Sequence, residues 1–209
     1  MRILHTECSR GWGGQELRIL AEACGMVGRG HDVWLAAPSD SPIATAAVER
    51  GLRLVPVRFR RPWGVWEVPV LQRAISRLEI DVLNTHSSWD AWIAGLAGRL
   101  ARTGVGIVRT RHVSTPIARS RPSQLLYTRL ADHVVTTGEA IREQMIRRNG
   151  FPAERITSVV TGLDLATFRP TREPAAVRAS LGIPPSAAVV GTVSTLRSWK
   201  GHQYLLEAI

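Results

Sequence analysis

The sequence predicts an α/β fold built on a doubly wound parallel sheet. Two observations carry that expectation. Apolar runs of about four to six residues alternate with helical patterns of about ten or more, and glycine or proline punctuates most of the junctions. Such an alternation is the spacing of repeated βαβ units.

The elements follow in order. Arg2-Ile3-Leu4-His5-Thr6 reads as a strand, and Gly11, Gly13 and Gly14 mark the loop after it. A helical pattern then places Leu17, Leu20, Ala21 and Cys24 on one face and ends at Gly28 and Gly30. Val33–Ala37 is a second strand closed by Pro38, and Ser41-Pro42 suits a helix start before Gly51. Leu54–Val57 is a third strand. An Arg- and Trp-rich loop from Arg58 to Trp66 leads into a helix over about Val68–Leu78. The alternation then repeats: strands at Asp81–Thr85, Gly106–Thr110, His133–Thr137 and Ile156–Val160, with helices at Trp89–Arg102, Ser123–Leu130 and Glu139–Arg148. The basic end of the last helix complements its negative dipole end. These strands fill residues 1–162 as one domain. Residues 163–186, rich in Pro, Arg and Ala, read as a linker with a short helix. A further strand at Ala187–Val193 and a helix from about Gly201 read as the incomplete start of a second α/β domain, residues 187–209, because one βα unit cannot bury both faces of its strand. An unpaired edge there predicts poor solubility of the isolated chain.

Composition narrows the function classes. With 44% hydrophobic and 21% charged residues the chain has material for a core, which excludes disordered, collagen-like and disulfide-scaffold classes. No apolar run approaches the ~18 residues of a membrane span, and Met1–Glu7 turns polar too soon for a signal peptide. Cys8 and Cys24 lack the spacing of a metal or disulfide framework. The expectation is a cytoplasmic protein with free thiols. The net charge of +10 favours anionic partners, and Lys200 is the sole lysine among 27 basic residues. An Arg-rich composition alone would also produce a basic chain.

Several residues stand where ligands bind. The Gly11-Trp12-Gly13-Gly14 loop precedes a helix start, where amides and the positive helix end suit an anion. Glu16 replaces the third glycine of the dinucleotide fingerprint, so a phosphate or sugar contact and a plain tight turn both remain open. His86, beside Ser87, and His112, after Arg109 and Arg111, each follow a strand's apolar run at the carboxyl edge where open α/β sheets bind ligands. Neither has the companions of a metal site. From Arg99 to Arg121 inclusive there are six arginines and no acid, and Arg58, Arg60 and Arg61 cluster near Trp63 and Trp66. These suit phosphate or an anionic bilayer; a solvated face is the alternative. No nucleic-acid-binding signature accompanies the charge. Arg197 and Lys200 sit three apart before a helix start, a spacing that suits a diphosphate.

Together these stretches resemble the N-terminal part of a retaining, family 4 glycosyltransferase of the GT-B fold, whose domains are Rossmann-like, and most closely those of lipopolysaccharide and other envelope glycan assembly. The resemblance rests on Gly-Gly-Gln-Glu-Leu-Arg at 13–18, Arg109-Thr110-Arg111-His112, Thr137-Gly138-Glu139-Ala140-Ile141-Arg142, Thr161-Gly162-Leu163-Asp164 with Phe168-Arg169-Pro170, and Arg197 with Lys200-Gly201. Thr161 stands where the family usually has Asn, and nearly all of the family's second domain is absent, so the chain reads as truncated. The resemblance implies a nucleotide-sugar donor with no metal or other cofactor. It places Gly13 and Gly14 near the donor, His112 on the sugar, and Arg197 and Lys200 on the leaving diphosphate. His86, Ser87, Arg109 and Arg111 are candidate contacts to an anionic, lipid-linked or lipopolysaccharide-type glycan acceptor at the inner membrane face. The alternatives are a noncatalytic or split-subunit binding module and a nucleotide or nucleic-acid binder.

Overall fold

The computed structural model describes residues 1–60 and 63–209. The chain divides into two units, Met1–Gly162 and Leu163–Ile209. In the first unit the seven strands are β1 Arg2–Thr6, β2 Asp32–Ala37, β3 Arg53–Pro56, β4 Val82–Thr85, β5 Gly106–Arg111, β6 His133–Thr136 and β7 Ile156–Ser158. They form one sheet in the order β3-β2-β1-β4-β5-β6-β7, parallel throughout. The connecting helices are α1 Gly14–Val27, α2 Pro42–Glu49, α3 Val68–Arg77, α4 Ser88–Ala101, α5 Arg121–Thr128 and α6 Glu139–Asn149. This is the doubly wound, Rossmann-like α/β architecture.

Alternation along the strands sorts the two cores. Ile3, Val33 and Leu35 point to α1 and α2, where they meet Ile19, Leu20, Ala23, Ile43 and Ala47. Leu4, Ala36, Leu83 and Ile107 point the other way, to Leu71 and Ile75 of α3 and Ile93, Ala94 and Ala97 of α4. Gly98 lets α4 lie close on the sheet, since a Cβ there would sit 2.8 Å from Ile107 Cδ1. Local chemistry fixes the helix ends. Ser41 caps α2 by accepting from the Ala44 amide, with Pro42 in the first turn. Ser120 caps α5 in the same way through the Ser123 amide. Gly150 closes α6 in the left-handed region at φ 68°, whereas α4 ends on a non-glycine residue there, Arg102 at φ 53°.

Three details differ from the expectation. The buried face of α1 is Glu16, Ile19, Leu20 and Ala23, while Leu17 and Ala21 are exposed. The apolar positions alone point one residue away because this helix buries Glu16 and Arg18 as well. β7 stops at Ser158, leaving Val159 and Val160 exposed. In the second unit, α7 Pro174–Ser180 and α8 His202–Glu207 form, but the strand expected at Ala187–Val193 does not. Among the described residues that unit holds no strand to offer a hydrogen-bonding ladder, and Val189, Val190 and Val193 remain exposed. Of the basic cluster expected to face anions, Arg61 lies outside the described residues.

Going from β3 to β4, the chain returns to the middle of the sheet and lays β4 beside β1. The order of connection reverses there, which opens a crevice above the carboxyl ends of β1 and β4.

Candidate functional site

Register decides what stands at that crevice. His5 of β1 is opposite Asn84 of β4, and Asn84 is opposite Val108 of β5. His86 lies two residues beyond Asn84 and His112 four beyond Val108, so both share the face of His5. Each strand crossed from β1 carries its histidine one pleat, about 7 Å, nearer the carboxyl edge. The rings join end to end. His5 Nδ1 lies 2.9 Å from His86 Nε2, and His86 Nδ1 lies 2.9 Å from His112 Nε2. Thr110 Oγ1, on the same face, donates to Asn84 Oδ1 at 2.8 Å.

Burial sets the charge of the row. His5 is fully buried, and desolvation pulls its pKa down to about 4. His86 is pulled well below the ordinary histidine value by desolvation, reinforced by the neighbouring histidines and by Arg109 and Arg18. His112, half-buried, is pulled to about 4 by desolvation and by the charges of Arg18 and Arg109. The rings are therefore neutral at physiological pH.

An acidic group lies beside them. Glu7 follows β1, is fully buried, and accepts from the Ser9 amide at 2.7 Å, the Ser87 hydroxyl at 2.6 Å and the Gln15 side chain. Desolvation raises its pKa. Asp90, in the first turn of α4, accepts from Thr6 Oγ1 at 2.7 Å and from the His86 amide at 3.0 Å through Oδ2, while Oδ1 is buried without a partner among the described residues. Desolvation, with Glu7 nearby, lifts Asp90 to about 7. Cys8 beside them is a free thiol that burial pushes up to about 11, an unreactive state at neutral pH.

A cavity of about 220 Å³ opens on this cluster, lined by Gln15, His86, Ser87, Ser88, Arg109, Arg111, His112 and Val113. The structure thus brings together His86, Ser87, Arg109, Arg111 and His112. The two arginines are less available than their position implies. Arg109 is buried, gives one guanidinium nitrogen to the Ser87 carbonyl and lies over the Tyr127 ring. Its Nε has no partner among the described residues. Arg111 is taken up by the Tyr127 hydroxyl at 3.1 Å and the Thr115 carbonyl, so it ties down the segment after β5.

Gly13 and Gly14 sit at the start of α1, which has no side-chain cap. A Cβ at Gly14 would meet nothing within 4 Å, and one at Gly13 only Glu16 Oε2 at 3.6 Å. Among the described residues no contact requires glycine at either position and no side chain caps the first amides, the kind of helix start that suits an anion.

Arg197 and Lys200 belong to the second unit. Arg197 lines a hollow of about 300 Å³ with Leu196, Ser198, His202 and Gln203, and Lys200 is exposed at the end of a single 3-10 turn. Among the described residues no group of three or more His, Cys, Asp or Glu is arranged to hold a metal ion, and no helix is long and apolar enough to cross a membrane.

His5, Glu7 and Asp90 carry no site role in the sequence-based expectation, and Gln15 and Arg18 appear there only within the Gly-Gly-Gln-Glu-Leu-Arg stretch. Parity would have found His5: once the first and fourth strands are neighbours, His5, Asn84 and His86 must share a face.

Comparison with known proteins bears on these observations. A D-inositol 3-phosphate glycosyltransferase of Rhodococcus jostii is 28% identical over 94% of this chain. One from Saccharomonospora viridis is 29% identical over 61% of it. The chain spans 49% of the first relative's length and 32% of the second's. Among solved structures, a glycosyltransferase from Rickettsia africae matches 99% of this chain and 56% of its own, with a TM-score of 0.85 at 18% identity. Anabaena Alr3699/HepE in complex with UDP matches 100% of this chain and 57% of its own, with a TM-score of 0.81 at 21% identity. At such identities the structures establish the fold, that of the N-terminal domain of GT-B enzymes. The sequence itself goes further: the pattern of Glycosyltransferase Family 4 runs over residues 12–167, from the glycine loop through every strand end that lines the cavity after β1, and the chain belongs to that family.

Proposed function

We propose that this chain forms the acceptor-side domain of a glycosyltransferase that moves a sugar from a nucleotide-sugar donor to an anionic hydroxyl-bearing acceptor, with retention of anomeric configuration. The observation that carries the reading is the cavity at the β1/β4 switch point, where His86, His112 and Arg109 adjoin the glycine-opened start of α1. In this reading His112 contacts the donor sugar. Gly13 and Gly14 give the donor close approach, and Arg197 and Lys200 balance the charge on the departing diphosphate. The bond from the anomeric carbon to the diphosphate breaks with its electron pair on the phosphate oxygen. The acceptor oxygen bonds to the same carbon from the same side, and the hydroxyl proton leaves to the diphosphate or to water. Family membership and the UDP and UDP-glucose bound in HepE support a nucleotide-sugar donor.

A lipid-linked or lipopolysaccharide-type glycan at the inner membrane face is one acceptor. The curated relatives support a second, a phosphorylated cyclitol, and the cavity of about 220 Å³ suits a single ring. Incubating the full-length polypeptide with a panel of nucleotide sugars, and with inositol phosphate or lipid-linked glycan in parallel, tests donor and acceptor together. Lys200→Ala is expected to slow turnover by about 30- to 1000-fold, the equivalent of about 2–4 kcal/mol. Unchanged turnover would remove Lys200 from the scheme. Transfer only after a second polypeptide is added would point to a split enzyme, and salt-sensitive duplex binding without any effect of nucleotide sugar would point to nucleic acid.

A further inference from the structure

We infer that His5 and His86 are positioning residues: through the two ring-to-ring hydrogen bonds they fix the tautomer of His112, so that its Nδ1 carries the proton and is presented as a donor at the cavity. The inference rests on the proposed role of His112 only for its functional meaning; the proton arrangement itself stands independently of any ligand.

Each N···N contact of 2.9 Å needs one N–H and one lone pair. A neutral imidazole has one of each. Once a single ring is assigned, the other two follow, and the row has two arrangements. In the first, all three rings are protonated on Nδ1: His5 donates to His86 Nε2, His86 donates to His112 Nε2, and His112 Nδ1–H is left for the cavity. In the second, all three are protonated on Nε2 and every bond runs the other way, leaving a bare lone pair at His112 Nδ1.

The inner end of the row separates them. His5 Nε2 is buried and has no hydrogen-bond partner among the described residues. The second arrangement places an N–H there, an orphaned donor of the kind that folded proteins avoid most strictly. The first leaves only an unused acceptor. Burial, joined at His86 and His112 by the charges of Arg18 and Arg109, keeps the rings neutral, so a doubly protonated ring does not break the pattern. The row also ends inside the protein. It cannot pass a proton through to solvent, and its effect is confined to orienting His112. A donor at His112 Nδ1, beside Arg109, makes that rim of the cavity rich in donors, which suits an oxygen of a sugar or phosphate rather than an N–H.

The test is ¹⁵N-histidine NMR of the ligand-free chain at pH 7.5, where long-range ¹H–¹⁵N correlations report which ring nitrogen is protonated. The expected result is Nδ1–H at His5, His86 and His112. Nε2–H at His112 overturns the inference. In His5→Phe, His86 Nε2 becomes the buried inner end of the row, and the same avoidance of an orphaned donor is expected to keep Nδ1–H at His86 and His112. Nε2–H at His112 in a folded His5→Phe protein also overturns the inference. Should His5→Phe not fold, His5→Asn supplies an amide donor in place of Nδ1–H and is expected to retain Nδ1–H at His112; an Nε2–H signal there counts against the inference. Nucleotide-sugar titration of the same sample reads the functional proposal separately: a correct tautomer pattern without binding leaves the proton arrangement in place and removes its proposed use.

Discussion

Asp90 Oδ2 accepts the backbone N–H of His86 at 3.0 Å, so a side chain of α4 pins the strand end that carries the middle histidine of the row. The same carboxyl has its pKa lifted to about 7, chiefly by desolvation. A carboxyl whose pKa is raised on folding contributes stability that is complete below the unfolded value near 4 and lost as pH rises through about 7. Asp90→Asn, neutral at every pH, is expected to gain about 1–2 kcal/mol over the parent at pH 8 and little at pH 4.5. Urea midpoints at the two pH values check this; equal midpoint shifts at both would contradict it.

The histidine row acts with the opposite sign. His5 has its pKa lowered to about 4 on folding, so its contribution is complete above about 6.5 and lost as pH falls toward 4. In the parent the two effects oppose each other between pH 4 and 7. Asp90→Asn should therefore steepen acid destabilisation, and His5→Phe should lessen it by roughly 3 kcal/mol at pH 4. Thermal unfolding across that range, followed for both variants, would show the two slopes diverging.

Gly14 separates fold from ligand. With no atom within 4 Å of an added Cβ and an ordinary helical position, Gly14→Ala is expected to leave the melting temperature equal or higher, by up to about 1 kcal/mol of stability. If Gly14 gives the donor close approach as proposed, binding of a nucleotide sugar to the full-length polypeptide is expected to weaken about tenfold or more, because the added methyl group would fill that space. Calorimetric titration and a thermal scan on one sample give both numbers, and undiminished affinity would sink the assignment.

Arg102 ends α4 in the left-handed region at φ 53° and is exposed. Glycine adopts that conformation without the Cβ penalty. Arg102→Gly is expected to stabilise the chain by about 0.5–1 kcal/mol, readable as a higher urea midpoint with an unchanged slope.

The sheet was legible because its strands are short apolar runs separated by strong helix-start and helix-stop residues; Ser41-Pro42 and Gly51 act in the structure as they read in the sequence. His86 and His112 were legible because each directly follows an apolar strand run. His5 and Glu7 were not, since their importance depends on β1 and β4 being neighbours, a pairing that spans nearly eighty residues. The face of α1 was misplaced because Glu16 and Arg18 are buried toward the site rather than turned to solvent. The run at Ala187–Val193 has strand composition, but a strand exists only where another backbone bonds to it, and that dependence is invisible in composition.

The diagonal of His5, His86 and His112 has a consequence for how such a chain can vary. Losing or gaining one residue between Asp81 and His86, or between Gly106 and His112, would turn the histidine at the end of that segment to the opposite side of the sheet and cut the row. A change of two would keep the side but miss the neighbouring ring by a full pleat. The lengths of β4 and β5 are thus as much a part of this site as the imidazoles they carry, and homologous chains that retain all three rings should tolerate insertions only upstream of those segments or in the turns beyond them.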